Sequence, residues 1–303
     1  MTLRPSFVRA LAFTVAFLLP ALFTFWPRDT AMDWVLLKAG WERLDISQPL
    51  HDLAVELEVE AAETHYLAGP VARPPGFFAL YTPGLVSQLW LTFTVAILNA
   101  AAVAYLSRGV WWIAGGVMLL LAESLIWVNP AALWAGLIAL TWKHLDDGWK
   151  WGVPLGMAAA VRLWPLLPVA FLMLIRKRVG WGAAGTFAVL TGLGLLIVSP
   201  VDAVNSIMEG SGWRTSGAPN VSLSTFLERI WIPVGATIVI GSMATLAAAR
   251  RLSPFGGFGL SVLAAVILAP LAWPAYLAST APAWKLPTRR NRLEVVRSVE
   301  ISS

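Results

Sequence analysis

Three places in the sequence carry side chains suited to chemistry. Asp33, in WPRDTAMDW, stands just past an apolar run, where an acidic group would meet the outer surface of a membrane. A carboxylate there could serve as general base toward a substrate hydroxyl, its pKa set by its surroundings. Asp is also a good helix cap, and Asp29 is near enough to compete for either role. Arg162 lies inside the otherwise apolar stretch GMAAAVRLWPLLPVAFLMLI. An intramembrane charge costs about 2.5–3.5 kcal/mol on insertion scales and marks a functional site by default. The planar guanidinium bonds two oxygens at once, which suits a phosphate; an ion pair with Glu123 is the structural alternative. Asn220 and Ser222, in GAPNVSLSTFLERIW, offer neutral hydrogen-bonding groups suited to sugar hydroxyls or to capping a helix.

Other chemistries find no support. There is no cysteine, so disulfides, thiolate nucleophiles and Cys-ligated metals are excluded. With only His51, His65 and His144, a His-rich metal site is not expected. No Gly-rich phosphate loop follows a strand, and neither an HExxH motif nor a serine elbow occurs. No cofactor is expected. The net charge of +5 does not point to nucleic acid, because the basic residues gather at the ends of apolar runs and not along one face.

The elements that must hold these residues are written in the composition. Of 303 residues, 58% are hydrophobic and only 13% charged, against about 25% charged in soluble domains. A soluble surface needs charge and a lipid-facing one does not. Seventeen tryptophans agree, since Trp concentrates where membrane meets water. The expected fold is all-α, a polytopic transmembrane helical protein with about eight hydrophobic runs, each judged against the roughly 20 residues a bilayer requires. The runs are Ala10–Trp26, Leu85–Leu106, Val110–Leu125, Ile126–Trp142, Gly152–Ile175, Gly180–Val198, Ile230–Ala249 and Phe258–Trp284. The first resembles a signal peptide, but it is long and rich in aromatics, and no small-residue cleavage site follows; an uncleaved helix is expected.

Basic residues set the orientation. Arg4 and Arg9, Arg108, Lys143 and Lys150, Arg176 to Arg178, Arg250 and Arg251, and Lys285 to Arg297 should all be cytoplasmic. Segments 27–84 and 199–229 then face outside, and the first holds nine of the seventeen acidic residues. A transmembrane domain over 1–284 and a basic cytoplasmic tail over 285–303 result. Runs five and eight have basic groups at both ends, which a single crossing cannot satisfy. Their prolines, in VRLWPLLP and APLAWPAY, allow each run to be a pair of short helices that rise to a break and return; two Pro-kinked spans are the alternative. Broken backbone at membrane depth survives only when buried in protein or lining a wet cavity, so the breaks point toward a site. In the outer loop, Trp34, Leu37, Trp41 and Leu44 recur at helical spacing and suit a helix lying in the interface. DLAVELEVE (52–60) alternates in part, as a short strand would.

These segments, in this order, resemble the polyprenyl-phosphate-sugar-dependent glycosyltransferases of family 87, of the GT-C fold. The resemblance rests on GMAAAVRLWPLLPVAFLMLIRKRVGW, on NVSLSTFLERI, on APLAWPAY, on RPPGFFALYTPGLV and on the position of Asp33 in the first outer loop. It implies a general base at Asp33, a lipid-phosphate contact at Arg162, and sugar or acceptor contacts at Asn220, Ser222, Trp273 and Tyr276. It also implies a polyprenyl-phosphate sugar donor, a lipid or glycan acceptor, and inverting transfer of a hexose, mannose first, on the outer face of the plasma membrane. The family commonly has Lys where Arg162 stands, and His shortly after the late Trp, where this chain has Ala275 and Tyr276. A catalytically degenerate scaffold and a lipid or sugar transporter are the other readings the residues leave open.

Overall fold

Prolines, glycines and basic corners divide the apolar sequence into helices. The computed structural model describes residues 4–24, 88–126, 129–196, 200–201, 223–228, 233–269 and 274–284. Within them the helices are α1 (Pro5–Thr24), α2 (Gln88–Ser107), α3 (Trp111–Ile126), α4 (Ala131–Lys143), α5 (Val153–Val161), α6 (Leu166–Ile175), α7 (Lys177–Leu195), α8 (Leu223–Glu228), α9 (Val234–Ala249) and α10 (Pro254–Leu268). A 3₁₀ turn, Trp149–Gly152, leads into α5, and a 3₁₀ helix, Pro274–Ala283, follows α10. No strand occurs among the described residues. The interfacial helix and short strand expected in the outer loop, and the basic tail, lie outside them.

Two side chains fix how the first helices stand. Asn99, fully buried on α2, donates from Nδ2 to the Asn129 carbonyl at 2.9 Å and accepts from the Leu133 N–H at 3.1 Å. It thereby satisfies backbone groups at the start of α4 that no helix can satisfy for itself. Three residues further on, Ala102 lies against Gly136. Register advancing the same way on both chains makes α2 and α4 parallel, so Arg108 and Lys143 leave the bundle at one end. Gly109, at φ 75°, packs against Pro5 so closely that a Cβ would enter the proline, which brings the start of α1 to that end as well.

The remaining basic corners join them. Arg176 Nε meets Asp146 at 2.6 Å, and the Trp142 indole donates to the Phe255 carbonyl at 3.2 Å. The corners at 143–150, 176–178 and 250–253 therefore lie together. All the described basic groups except Arg162 share this end.

Runs five and eight are each divided. Pro165 has no N–H, and its ring conflicts with the carbonyl four residues back, so α5 stops at Val161 and α6 begins at Leu166. Ala269, before Pro270, takes φ −57° and ψ 137°, the extended geometry that a following proline imposes, and α10 ends there. The 3₁₀ helix then runs back until Trp284 lies against Gly116, near the start of α3. Both units leave the basic end and return to it. The resulting helices are short, at 9 and 10 residues for run five and 15 and 10 for run eight. Among the described residues no helix is long and apolar enough to cross a membrane.

The interior holds two large apolar groups. One joins α1 to α4 and the last 3₁₀ helix through Val103, Leu106, Ile113, Val117, Leu121 and Ala278. The other joins α4, α5, α6, α7 and α10 through Ile138, Trp142, Leu155, Phe171, Leu172 and Phe258. The exterior is apolar too. Leu119 and Leu196 are more than 80% exposed, and Ile240 and Met243 are both 67% exposed. Single exposed hydrophobics are ordinary in soluble proteins; here many large ones are exposed across most of the described helices.

Small residues let α5 and α7 approach to backbone contact. Gly152 and Gly156, one turn apart, face Val179, Ala183 and Thr186, the small-xxx-small pattern of helix pairs that associate without a hydrophobic drive. A Cβ on Gly156 would overlap the Ala183 carbonyl, and backbone cannot swing aside as a side chain can. Gly156→Ala is expected to destabilise the protein by about 1–3 kcal/mol, the usual cost of overpacking. Gly185→Ala, inside α7 where a Cβ meets nothing within 4 Å, serves as the control in the same thermal unfolding series and is expected to stabilise by about 0.4–1 kcal/mol.

Candidate functional site

The break in run five carries a charge to the interior. The 3₁₀ turn and α5 together lift Arg162 roughly 20 Å from the basic end, at about 2.0 and 1.5 Å per residue. Arg162 is extended, at φ −138° and ψ 115°, and its N–H donates to the Ala158 carbonyl at 3.0 Å. The helix thus ends on Arg162 itself, and its half-buried side chain leaves the helical direction.

Run eight supplies the partner. The guanidinium carbon of Arg162 lies 5.8 Å from the centroid of the Tyr276 ring. Trp164 stacks on the same tyrosine, with centroids 5.6 Å apart and planes 28° from parallel. Tyr276 is 8% exposed and packs against Val266 and Ala269. An arginine on an aromatic face gains about 0.5–1 kcal/mol when exposed and about 2 when desolvated, so the ring offsets part of the cost of holding the cation here. The two broken runs, more than one hundred residues apart in sequence, meet at these three side chains.

The Trp164 Nε1–H is buried and, like a few other polar atoms, has no partner among the described residues. A buried donor without a partner costs about 1–3 kcal/mol, so it calls for a ligand oxygen or an ordered water. A cation over the Tyr276 ring and a buried N–H on the tryptophan stacked against that ring are both groups that suit an anion bearing several oxygens.

The sequence-predicted residues divide sharply. Arg162 and Tyr276 come together. Asp33, Asn220, Ser222 and Trp273 lie outside the described residues, as does the Glu123 side chain, although Glu123 is on α3. Helix α8 begins at Leu223, directly after Ser222, so the capping alternative for Asn220 and Ser222 stands. Trp164 was missed. The signal was in RLWP: a tryptophan two residues past the lone cation of an apolar run and directly before the helix-breaking proline. No group of three or more His, Cys, Asp or Glu that could hold a metal occurs among the described residues.

A second polar cluster sits at the basic end. His144 Nδ1 and Asp147 Oδ2 are 2.5 Å apart, and the imidazole stacks on Trp151 at 3.8 Å. With the Arg176–Asp146 pair it ties the corner after α4 to the corner after α6. This cluster orders the loop and lies far from the break at Arg162.

Comparison with known proteins returns no relative. No protein-family model matches the chain, and neither a curated protein nor a solved structure matches it.

Proposed function

We propose that this chain is a polytopic membrane glycosyltransferase. It transfers a hexose, mannose first, from a polyprenyl-phosphate donor to an acceptor hydroxyl on the extracytoplasmic face, with inversion. The observation that carries the reading is Arg162 at the apex of a broken run, seated on the Tyr276 ring against which Trp164 also stacks. The membrane setting draws support from the apolar exterior and from the gathering of basic residues at one end. The family resemblance of the five sequence segments supplies the donor class.

The proposed reaction has one displacement. Asp33 takes the proton of the acceptor hydroxyl as that oxygen bonds to the anomeric carbon. The bond from the anomeric carbon to the phosphate oxygen breaks, and polyprenyl phosphate leaves with one more negative charge than the phosphodiester carried. Arg162 and the Trp164 N–H face that growing charge. Donors fixed in a water-poor site stabilise such charge far better than water does, because they need not reorganise. Asn220, Ser222 and Trp273 would bind sugar or acceptor, and the lipid tail would lie against the apolar exterior.

One observation favours a second reading, binding without turnover. Ala275 and Tyr276 stand where the resembling family carries His, and the Tyr276 ring is engaged by Arg162 and Trp164. Mass analysis of lipid-linked products separates the two. Membranes containing the protein and a polyprenyl-phosphate hexose are expected to form an acceptor one hexose heavier and to release polyprenyl phosphate in equal amount. Bound donor with no heavier acceptor would establish the second reading.

A further inference from the structure

The basic end of the bundle carries cations that no described carboxylate neutralises. Lys177 and Arg178 begin α7, and Arg250 and Arg251 follow α9. All four are exposed, and none makes an ion pair among the described residues. The two described carboxylates at this end are already engaged, Asp146 with Arg176 and Asp147 with His144. Phe171 and Val179 from one corner share a buried group with Ala249 from the other, so the two dibasic pairs are held on one face by a packed core. Like charges collected this way repel, and an external anion relieves the repulsion.

The surroundings say what kind of anion. Trp111, Trp149 and Trp181 belong to this end, each 59–66% exposed. Exposed tryptophans at one level are the signature of a membrane–water interface, where the ring meets acyl chains and the N–H meets headgroups. Leu174, Leu252 and Phe255, also at this end, are about half exposed. A free phosphate would use the cations and leave the tryptophans and apolar side chains in water. A nucleic acid would do the same. A ligand with an anionic head and an apolar body uses all of them.

We propose that this end binds the headgroups of anionic phospholipids, with the pairs Lys177–Arg178 and Arg250–Arg251 as its contacts. The proposal rests on the membrane reading above and is independent of sugar transfer. Basic residues at an anionic membrane surface each contribute about a fivefold preference, and the effect is screened over about 3 Å at 1 M salt.

The test uses the full chain in vesicles of phosphatidylcholine with one-third phosphatidylglycerol. Spin-labelled phosphatidylglycerol and spin-labelled phosphatidylcholine are compared for the motionally restricted lipid at the protein surface. At low salt the anionic label is expected to be preferred by about fivefold or more. The preference should fall toward unity in 1 M salt and in the variant Lys177→Gln, Arg178→Gln, Arg250→Gln, Arg251→Gln. The salt arm needs no variant, so a variant that fails to fold leaves the test intact. Equal restriction of both labels at low salt overturns the lipid proposal alone. No restricted component of either label means the chain is outside the bilayer and overturns the membrane reading with it. Hexose transfer is measured in the same vesicles, so its failure is scored separately.

Discussion

Asp33→Asn is expected to lower turnover by about 100-fold or more, the scale of a general-base contribution, while folding and donor binding persist. The substitution keeps the size of the side chain and most of its capping ability, since Asn and Asp cap helices about equally well. What it removes is the capacity to take a proton. A large loss in kcat with unchanged thermal stability therefore assigns the base to Asp33. Activity near that of the unmodified protein returns Asp33 to a capping role and directs the same experiment to Asp29, four residues earlier. The pH profile supplies a second readout. A carboxylate base must be deprotonated to act, so activity should fall as pH drops through its pKa, and that limb should vanish in the Asn variant.

Much of the architecture was legible because it depends on local rules. Pro165 and Pro270 are breaks in any context, and basic corners mark the ends of apolar runs in any helical membrane protein. The division of runs five and eight could therefore be read from prolines and charges alone. The contact that sets α2 against the start of α4 could not. It depends on Asn99, an amide in an apolar run, and nothing in its spacing shows that it reaches the start of a helix thirty residues away. The Gly152–Gly156 face was equally silent, because a glycine that admits a neighbouring backbone looks in sequence like one that admits nothing.

The site was legible in the same partial way. Arg162 announces itself, since a lone charge in an apolar run is costly wherever the chain folds. Tyr276 entered through the family resemblance, from a motif in which it stands near the place of a histidine. Its contact with Arg162 spans more than one hundred residues, and a single sequence carries no record of such pairings. Trp164 was hidden by composition. One tryptophan among seventeen in an apolar chain looks like packing until its ring is found stacked on Tyr276, its N–H without an acceptor among the described residues.

The last expected result separates ligand binding from structure at that wall. Arg162→Met should weaken donor binding by about 10–100-fold, the worth of a hydrogen bond to a charged group at about 1.5–3 kcal/mol. Arg162→Lys should retain part of the affinity, because charge persists while the fork geometry is lost. Trp164→Phe keeps an aromatic ring against Tyr276 and removes only the N–H donor and some ring area. If that N–H meets the donor's phosphate, affinity falls by about 10–100-fold, the worth of a hydrogen bond to a charged group, with little change in thermal stability. If the N–H meets nothing, removing a buried idle donor raises stability and leaves affinity unchanged. An ion pair between Arg162 and Glu123 gives a third pattern. Breaking a buried pair strands one charge at a cost of about 3–5 kcal/mol, so Arg162→Met alone would sharply lower the unfolding temperature, and Glu123→Gln added to it would restore the loss. Thermal unfolding and polyprenyl-phosphate binding, measured on the single and double variants together, distinguish all three. Restored stability with unchanged lipid affinity would remove Arg162 from the site, because a residue that touched the phosphate could not be lost without weakening its hold.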